Sequence, residues 1–290
     1  MRSCWICNRV EAPDSVEKAF MVEGQAPCMP AEFVRHDRQG IDLEDEKLRV
    51  QWFEEGDAAA LICGDELLAV IPCFSGYNGF PGYSTYAKGT GPFAWELEQA
   101  KAVFAEKADR SKKFWNYLDT DFWGEVQGAH LAALERFFGK HERYYGIDGN
   151  HFPPKALVQG SRDDVIYGIT AGVSLIPMPM VEMSYREDYE NFRRMEIGFA
   201  CRKEQESLVQ RIYSMMSNLA SYPWKEITFF GHGHTIPYNG IAGYADLLLL
   251  NSKLLPEIDA PVYEKCFGED INLLWIVPIT QEECDFIDRL

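Results

Sequence analysis

Residues Ile271-Asn-Leu-Leu-Trp-Ile-Val-Pro-Ile-Thr-Gln-Glu-Glu283 constrain the fold more than any other stretch of the 290-residue sequence. Ile271 to Val277 is an apolar run too short to cross a membrane and suited to a strand covered on both faces. Thr280 followed three residues later by Glu283 is a capping box, so the chain passes at once from a central strand into a terminal helix, expected over 281–288. Such an ending needs a sheet that buries both faces of the strand. Hydrophobic residues make up 47% of the chain and aromatic residues 13%, enough for that core.

The rest of the pattern places helices on a sheet without a steady βα alternation. Arg49–Glu54 alternates as a strand, and 58–63 and 67–72 flank Gly64-Asp65 as a hairpin. Helices are expected over 93–107, where Ala94, Leu97, Ala100, Val103 and Phe104 recur, over 122–142 and over 204–221. Further strands are expected at 156–159, 165–170, 194–201, 227–230, 245–250 and 262–267. This order predicts an α+β fold with a mixed, largely antiparallel sheet flanked by helices, and it disfavours a doubly wound nucleotide fold. The turn-rich 145–154 stretch marks a boundary, giving residues 1–45 (an unassigned segment with Cys-x-x-Cys), 46–148 (an α+β extension) and 149–290.

Charge narrows the partners. Forty-five acidic against 28 basic residues give a net charge of -17, which repels nucleic acid and anionic lipid and favours a basic protein. No secretory signal or membrane span is legible, so a cytoplasmic protein is expected. The 8 cysteines lack framework spacing and are expected mostly as free, buried thiols. Cys4-x-x-Cys7 has the gap of one knuckle of a structural zinc site, completed only if Cys28 and His36 close it through an irregular loop; a redox pair and incidental cysteines are the other readings, and no other cofactor is expected.

The catalytic candidates are sparse. His232-x-His234 spaces two imidazoles as metals use them, which supports an alternative reading as a metal-dependent hydrolase, but no third ligand is signalled and turn histidines are the plainer reading. Ser174 sits in Thr170-Ala-Gly-Val-Ser-Leu, which lacks the small residues of a nucleophile elbow and suits a turn hydroxyl. Asp163-Asp164, Glu204/Glu206 and Glu282-Glu283 read as solvated carboxylates in so acidic a chain. Phe74, Tyr77, Phe80, Tyr83 and Tyr86, spaced by glycines, together with Tyr238 and Tyr244, are candidate partner-binding aromatics, or a loop folded over its own side chains.

Five landmarks in order resemble the bacterial branch of the suppressor-of-fused-like family: Gly172-Val-Ser-Leu175, Glu196-Ile-Gly-Phe199, Leu219-Ala-Ser-Tyr222, Gly231-His-Gly-His-Thr-Ile-Pro237 and Leu273–Glu283. The resemblance covers roughly 150–290. It implies a non-enzymatic module that holds an extended protein segment, and in bacteria an immunity protein that neutralises a toxin; a basic toxin domain would suit the charge. The animal family's second, C-terminal lobe has no counterpart after Leu290, so its transcription-factor role does not carry over. A self-associating structural protein is the remaining alternative.

Overall fold

The structure is a computed structural model that describes residues 8–9, 29–35, 44, 47–71, 82–91, 94–287 and 289. The described chain divides into two compact units, Met1–Asp119 and Thr120–Leu290. The expected α+β class is what is found, with mostly antiparallel sheets carrying helices.

In the first unit β1 (Asn8–Arg9) pairs in parallel with β2 (Met29–Pro30). A five-stranded sheet then runs in spatial order through β3 (Leu48–Trp52), β4 (Ala59–Cys63), β5 (Glu66–Ile71), β6 (Gly82–Ser84) and β7 (Ala94–Glu96). Gly64, at φ +60, makes the two-residue turn between β4 and β5. Helix α1 (Lys101–Leu118) is buried at Ala108, Ser111, Phe114 and Leu118, and Phe104 and Ala108 join Ala60, Ile62 and Val70 of the sheet in one core.

That placement corrects the helix expected over 93–107. Ala94 begins a strand, Val103 is 66% exposed, and the true stripe continues to Leu118 through a run rich in lysine and charge that hid it.

The second unit is built on seven strands in the order β12-β13-β14-β11-β10-β9-β8. Their ranges are β8 (Arg143–Gly146), β9 (Ala156–Arg162), β10 (Val165–Ala171), β11 (Arg194–Arg202), β12 (Thr235–Pro237), β13 (Asp246–Asn251) and β14 (Ile271–Ile279). All neighbours are antiparallel except β11 and β14. Helix α2 (Trp123–Phe138) covers one face, where Leu134 meets Val158, Ile169 and Leu273. After a short helix α3 (Glu182–Tyr185), helix α4 (Glu206–Leu219) covers the other face, placing Val209, Ile212, Met216 and Leu219 on Ile197 and Phe199. A one-turn helix α5 (Tyr222–Glu226) follows it, and α6 (Gln281–Ile287) ends the chain.

The ending forms as expected. The backbone N–H of Thr280 donates to Glu283 Oε2 at 2.7 Å, and the N–H of Glu283 donates back to Thr280 Oγ1 at 3.3 Å. The strand runs through Pro278, which is tolerable because pairing of β14 with β11 ends at Trp275, so the proline nitrogen interrupts no central ladder.

Two expected strands are absent. Ile227 takes the left-handed C-cap of α5 (φ +53), and residues 228–230 are irregular, so Phe229 and Phe230 do not alternate as a strand would require. Residues 262–267 lie in the irregular connection between β13 and β14, where Val262 is exposed and Phe267 takes a positive φ. The four described cysteines are less buried than expected. Cys284 is buried, whereas Cys63, Cys201 and Cys266 are half-buried.

Candidate functional site

The outer strand β12 borders a groove of about 700 Å³, walled by the end of α4 (Met215, Asn218, Leu219), by Tyr222 and by residues 228–230. Antiparallel register pairs Thr235 with Leu248, Ile236 with Leu247 and Pro237 with Asp246. The Leu249 N–H donates to the His234 carbonyl and the Tyr238 N–H to the Ala245 carbonyl. Because ladder bonds alternate along an antiparallel strand, the Thr235 N–H and C=O face away from β13, toward the open edge. Pro237 offers no N–H, so pairing there is limited to a short segment.

The groove is apolar and aromatic. Tyr222 stacks on Phe230 at 5.7 Å between ring centroids, and Phe229 packs against the His234 ring at 5.1 Å. Burial pushes His234 below its ordinary imidazole pKa, so it is neutral at pH 7. Among the described lining residues none is acidic or carries Lys or Arg, which sets this surface apart from the acidic chain around it.

Behind the groove, the first two landmarks turn out to be halves of one anchor. Glu196 of β11 is fully buried on the α2 side of the sheet. Its carboxylate accepts from Thr170 Oγ1 (2.6 Å), the N–H groups of Gly172 and Ser174 (3.0 Å each) and Ser174 Oγ (2.6 Å). Gly172 sits at φ +95, and a Cβ there would meet the Pro154 carbonyl and the Trp123 ring at 2.7 Å, so glycine is required twice over.

The carbonyl end of the same turn is held by Arg194, whose Nη1 donates to Ser174 O (3.1 Å) and Leu175 O (2.6 Å). Arg193 and Arg194, both fully buried, share Glu269 as counterion. An anion at the N–H end and a cation at the C=O end match the dipole of the turn.

His130 of α2 completes the anchor and excludes a catalytic relay. Nδ1 lies 2.8 Å from the Val126 carbonyl, which can only accept, and Nε2 lies 3.1 Å from the Glu196 carboxylate and 3.0 Å from Ser174 Oγ, whose proton already goes to Glu196. Both ring nitrogens therefore donate, and His130 is an imidazolium. Desolvation opposes that charge, but the Glu196 hydrogen bond and charge outweigh it and raise its pKa; the same pair holds Glu196 low despite its burial. With no lone pair left on His130 and no exposure at Ser174, this trio cannot activate a nucleophile.

The remaining candidates are placed separately. His232 Nδ1 accepts the Asn251 N–H at 3.1 Å, whereas His234 faces the groove, so the two imidazoles serve different elements. No group of three His, Cys, Asp or Glu among the described residues could hold a metal ion. Tyr238 and Tyr244 are half-buried against the core, with the Tyr238 hydroxyl donating to the Arg211 carbonyl. Tyr83 is half-buried between Trp95 and Phe104, and Tyr86 is half-buried in the turn after β6. Phe74, Tyr77, Phe80, Cys4, Cys7, Cys28 and His36 lie outside the described residues. Sequence reasoning passed over His130, although Val126, His130 and Leu134 recur at helical spacing on the stripe it assigned to 122–142.

A family model described as Suppressor of fused protein (SUFU) matches residues 146–289. No curated protein matches the chain. Among solved structures, the chain is similar to a putative SUFU homologue from Neisseria gonorrhoeae FA 1090, at 15% identity and a TM-score of 0.39, over 57% of this chain and 84% of that one. The C-terminal half of this chain, residues 146–289, is a suppressor-of-fused-like domain.

Proposed function

We propose that the chain is a non-enzymatic protein-binding module that takes an extended segment of its partner against β12, and that it acts in the cytoplasm as an immunity protein for a basic toxin domain. The observation that carries the reading is the uncharged aromatic groove lying along a strand whose Thr235 N–H and C=O face outward. A partner backbone pairs with Thr235, and an apolar side chain of the partner fills the space between Tyr222, Phe230 and Ile236. The acidic remainder of the chain supplies attraction at a distance and fast association. No described helix is long and apolar enough to cross a membrane.

The test is capture of partners from the protein's own cells by the natural chain and by Thr235→Pro, which removes one outward N–H and leaves the ladder with β13 intact. A partner held by the first and lost by the second, with binding weakened at least about tenfold, is the expected result. Equal retention of every captured protein refutes strand addition at this edge.

A further inference from the structure

The five-stranded sheet of the N-terminal unit, outside the family match, ends on β3, and no described strand pairs beyond it. The Gly64 N–H donates to the Lys47 carbonyl and the Phe53 N–H to the Ala58 carbonyl, which turns the odd-numbered residues of β3 toward β4. Alternation then turns the N–H and C=O groups of Leu48, Val50 and Trp52 toward the outer edge. Two side chains cap one of these groups: the Trp52 carbonyl accepts the Trp115 indole N–H at 2.9 Å and the Gln51 amide at 3.0 Å. The backbone groups of Leu48 and Val50 and the Trp52 N–H have no partner among the described residues.

The side chains are apolar where this backbone is open. Val50 is 58% exposed and Trp52 44%, and with Leu61 and Ile71 they border a groove of about 250 Å³ on the face away from the α1 core. Charge differs between the two ends of the edge. Lys112 of α1 is exposed, has no acidic partner among the described residues, and lies one helical turn before Trp115, beside the Trp52 end. Glu44 is exposed at the other end, where its carbonyl accepts the Lys47 N–H. Its ion pair with Lys47 is solvated on both sides and holds it only weakly.

We propose that β3 pairs with β3 of a second copy of this chain, antiparallel about a two-fold axis at Val50. In that register Val50 exchanges both main-chain bonds with its counterpart, and the Trp52 N–H of each copy donates to the Leu48 carbonyl of the other. Leu48, Val50 and Trp52 of both copies then fall on one face of a continuous sheet, as apolar cross-strand pairs. The same register carries Lys112 of each copy toward Glu44 of the other, so the cationic end of one edge meets the anionic end of its mate. Neighbouring registers are worse: an axis at Arg49 sets two guanidinium groups opposite each other, and an axis at Gln51 sets Val50 against the capped Trp52 carbonyl. At net -17 the copies repel at a distance, so the dimer is weak and driven by concentration. The pairing is independent of the β12 reading and stands or falls separately.

The experiment is sedimentation equilibrium of the full chain from roughly 10 μM to roughly 1 mM at about 0.15 M salt. The natural chain passes from monomer toward dimer over that range. Val50→Lys, a change at an exposed position, sets two ammonium groups face to face across the axis, and Val50→Pro removes an outward N–H while leaving the ladder with β4 intact. Each weakens the dimer at least about tenfold, with the circular dichroism of the fold retained. Lys112→Glu and Glu44→Lys each weaken it about threefold, and the double variant restores it, a rescue that damage to the fold does not produce. Thr235→Pro leaves the dimer unchanged. A natural chain that stays monomeric across the range overturns the proposal, and so does a dimer that Val50→Lys leaves intact, because the contact then lies elsewhere. Failure of the double variant to restore the dimer overturns the register centred on Val50, and the proposal with it.

Discussion

Glu196 is the residue on which the C-terminal domain most depends. Its carboxylate joins a turn, two strands and a helix, and it is buried beside the His130 imidazolium. Glu196→Gln leaves the His130 imidazolium uncompensated in the core and is expected to cost about 3–5 kcal/mol in denaturant unfolding. The pair also makes stability depend on pH. His130 is raised above its ordinary value of 6.5, so its contribution is full below that value and is lost as pH rises through the folded-state pKa. Glu196 is lowered below its ordinary 4.5, so its contribution is full above that value and is lost as pH falls through the folded-state pKa. Subtracting thermal melts of His130→Gln from those of the natural chain should isolate a stabilisation that peaks between the two ordinary values and declines on both sides. A difference that keeps growing toward alkaline pH contradicts the assigned charge state. Among the landmarks, Gly198 is explained as well: a Cβ there would meet the Trp275 ring across the β11–β14 ladder at 2.9 Å, so Gly198→Ala is expected to cost about 1–3 kcal/mol through crowding.

At the scale of elements, legibility followed how local the cause was. The capping box at Thr280 and Glu283 involves residues three apart and appears in the structure as expected; Thr280→Ala should lower unfolding stability by about 1 kcal/mol. The paired strands around Gly64 and the apolar run from Ile271 to Val277 were legible for the same reason, since turn residues and β-branched runs state their own conformation. Elements decided by distant contacts were not. Helix α1 keeps its buried positions apart with lysines and arginine, so the apolar stripe from Ala94 to Phe104 pulled the expected helix one turn and more too early. Phe229 and Phe230 carry strand propensity, yet the left-handed Ile227 and the stacking of Phe230 on Tyr222 remove them from the ladder. The groove was half legible: His234 and Tyr222 stood in motifs, but Met215 and Asn218 reach it only because α4 ends beside β12.

At the scale of the molecule, the division at Asp119 and Thr120 puts α2 and β8 in the same unit as the C-terminal sheet. A fragment beginning at Thr120 retains His130 for Glu196 and β8 for β9, and it should unfold in one cooperative transition. A fragment beginning at residue 149 loses both and should be less stable or unfolded; equal stability of the two fragments in denaturant refutes the role given to α2. The net charge of -17 belongs to this scale too, and predicts that association with a basic partner slows as salt rises while the apolar groove on β12 keeps the dissociation rate nearly constant.

The central claim, that β12 receives a partner's backbone, is tested most directly by hydrogen exchange across residues 231–238 with and without the bound partner. The Thr235 amide faces away from β13 and should exchange readily in the free chain and slow markedly in the complex. A saturated complex in which the Thr235 amide exchanges as fast as before contradicts the account.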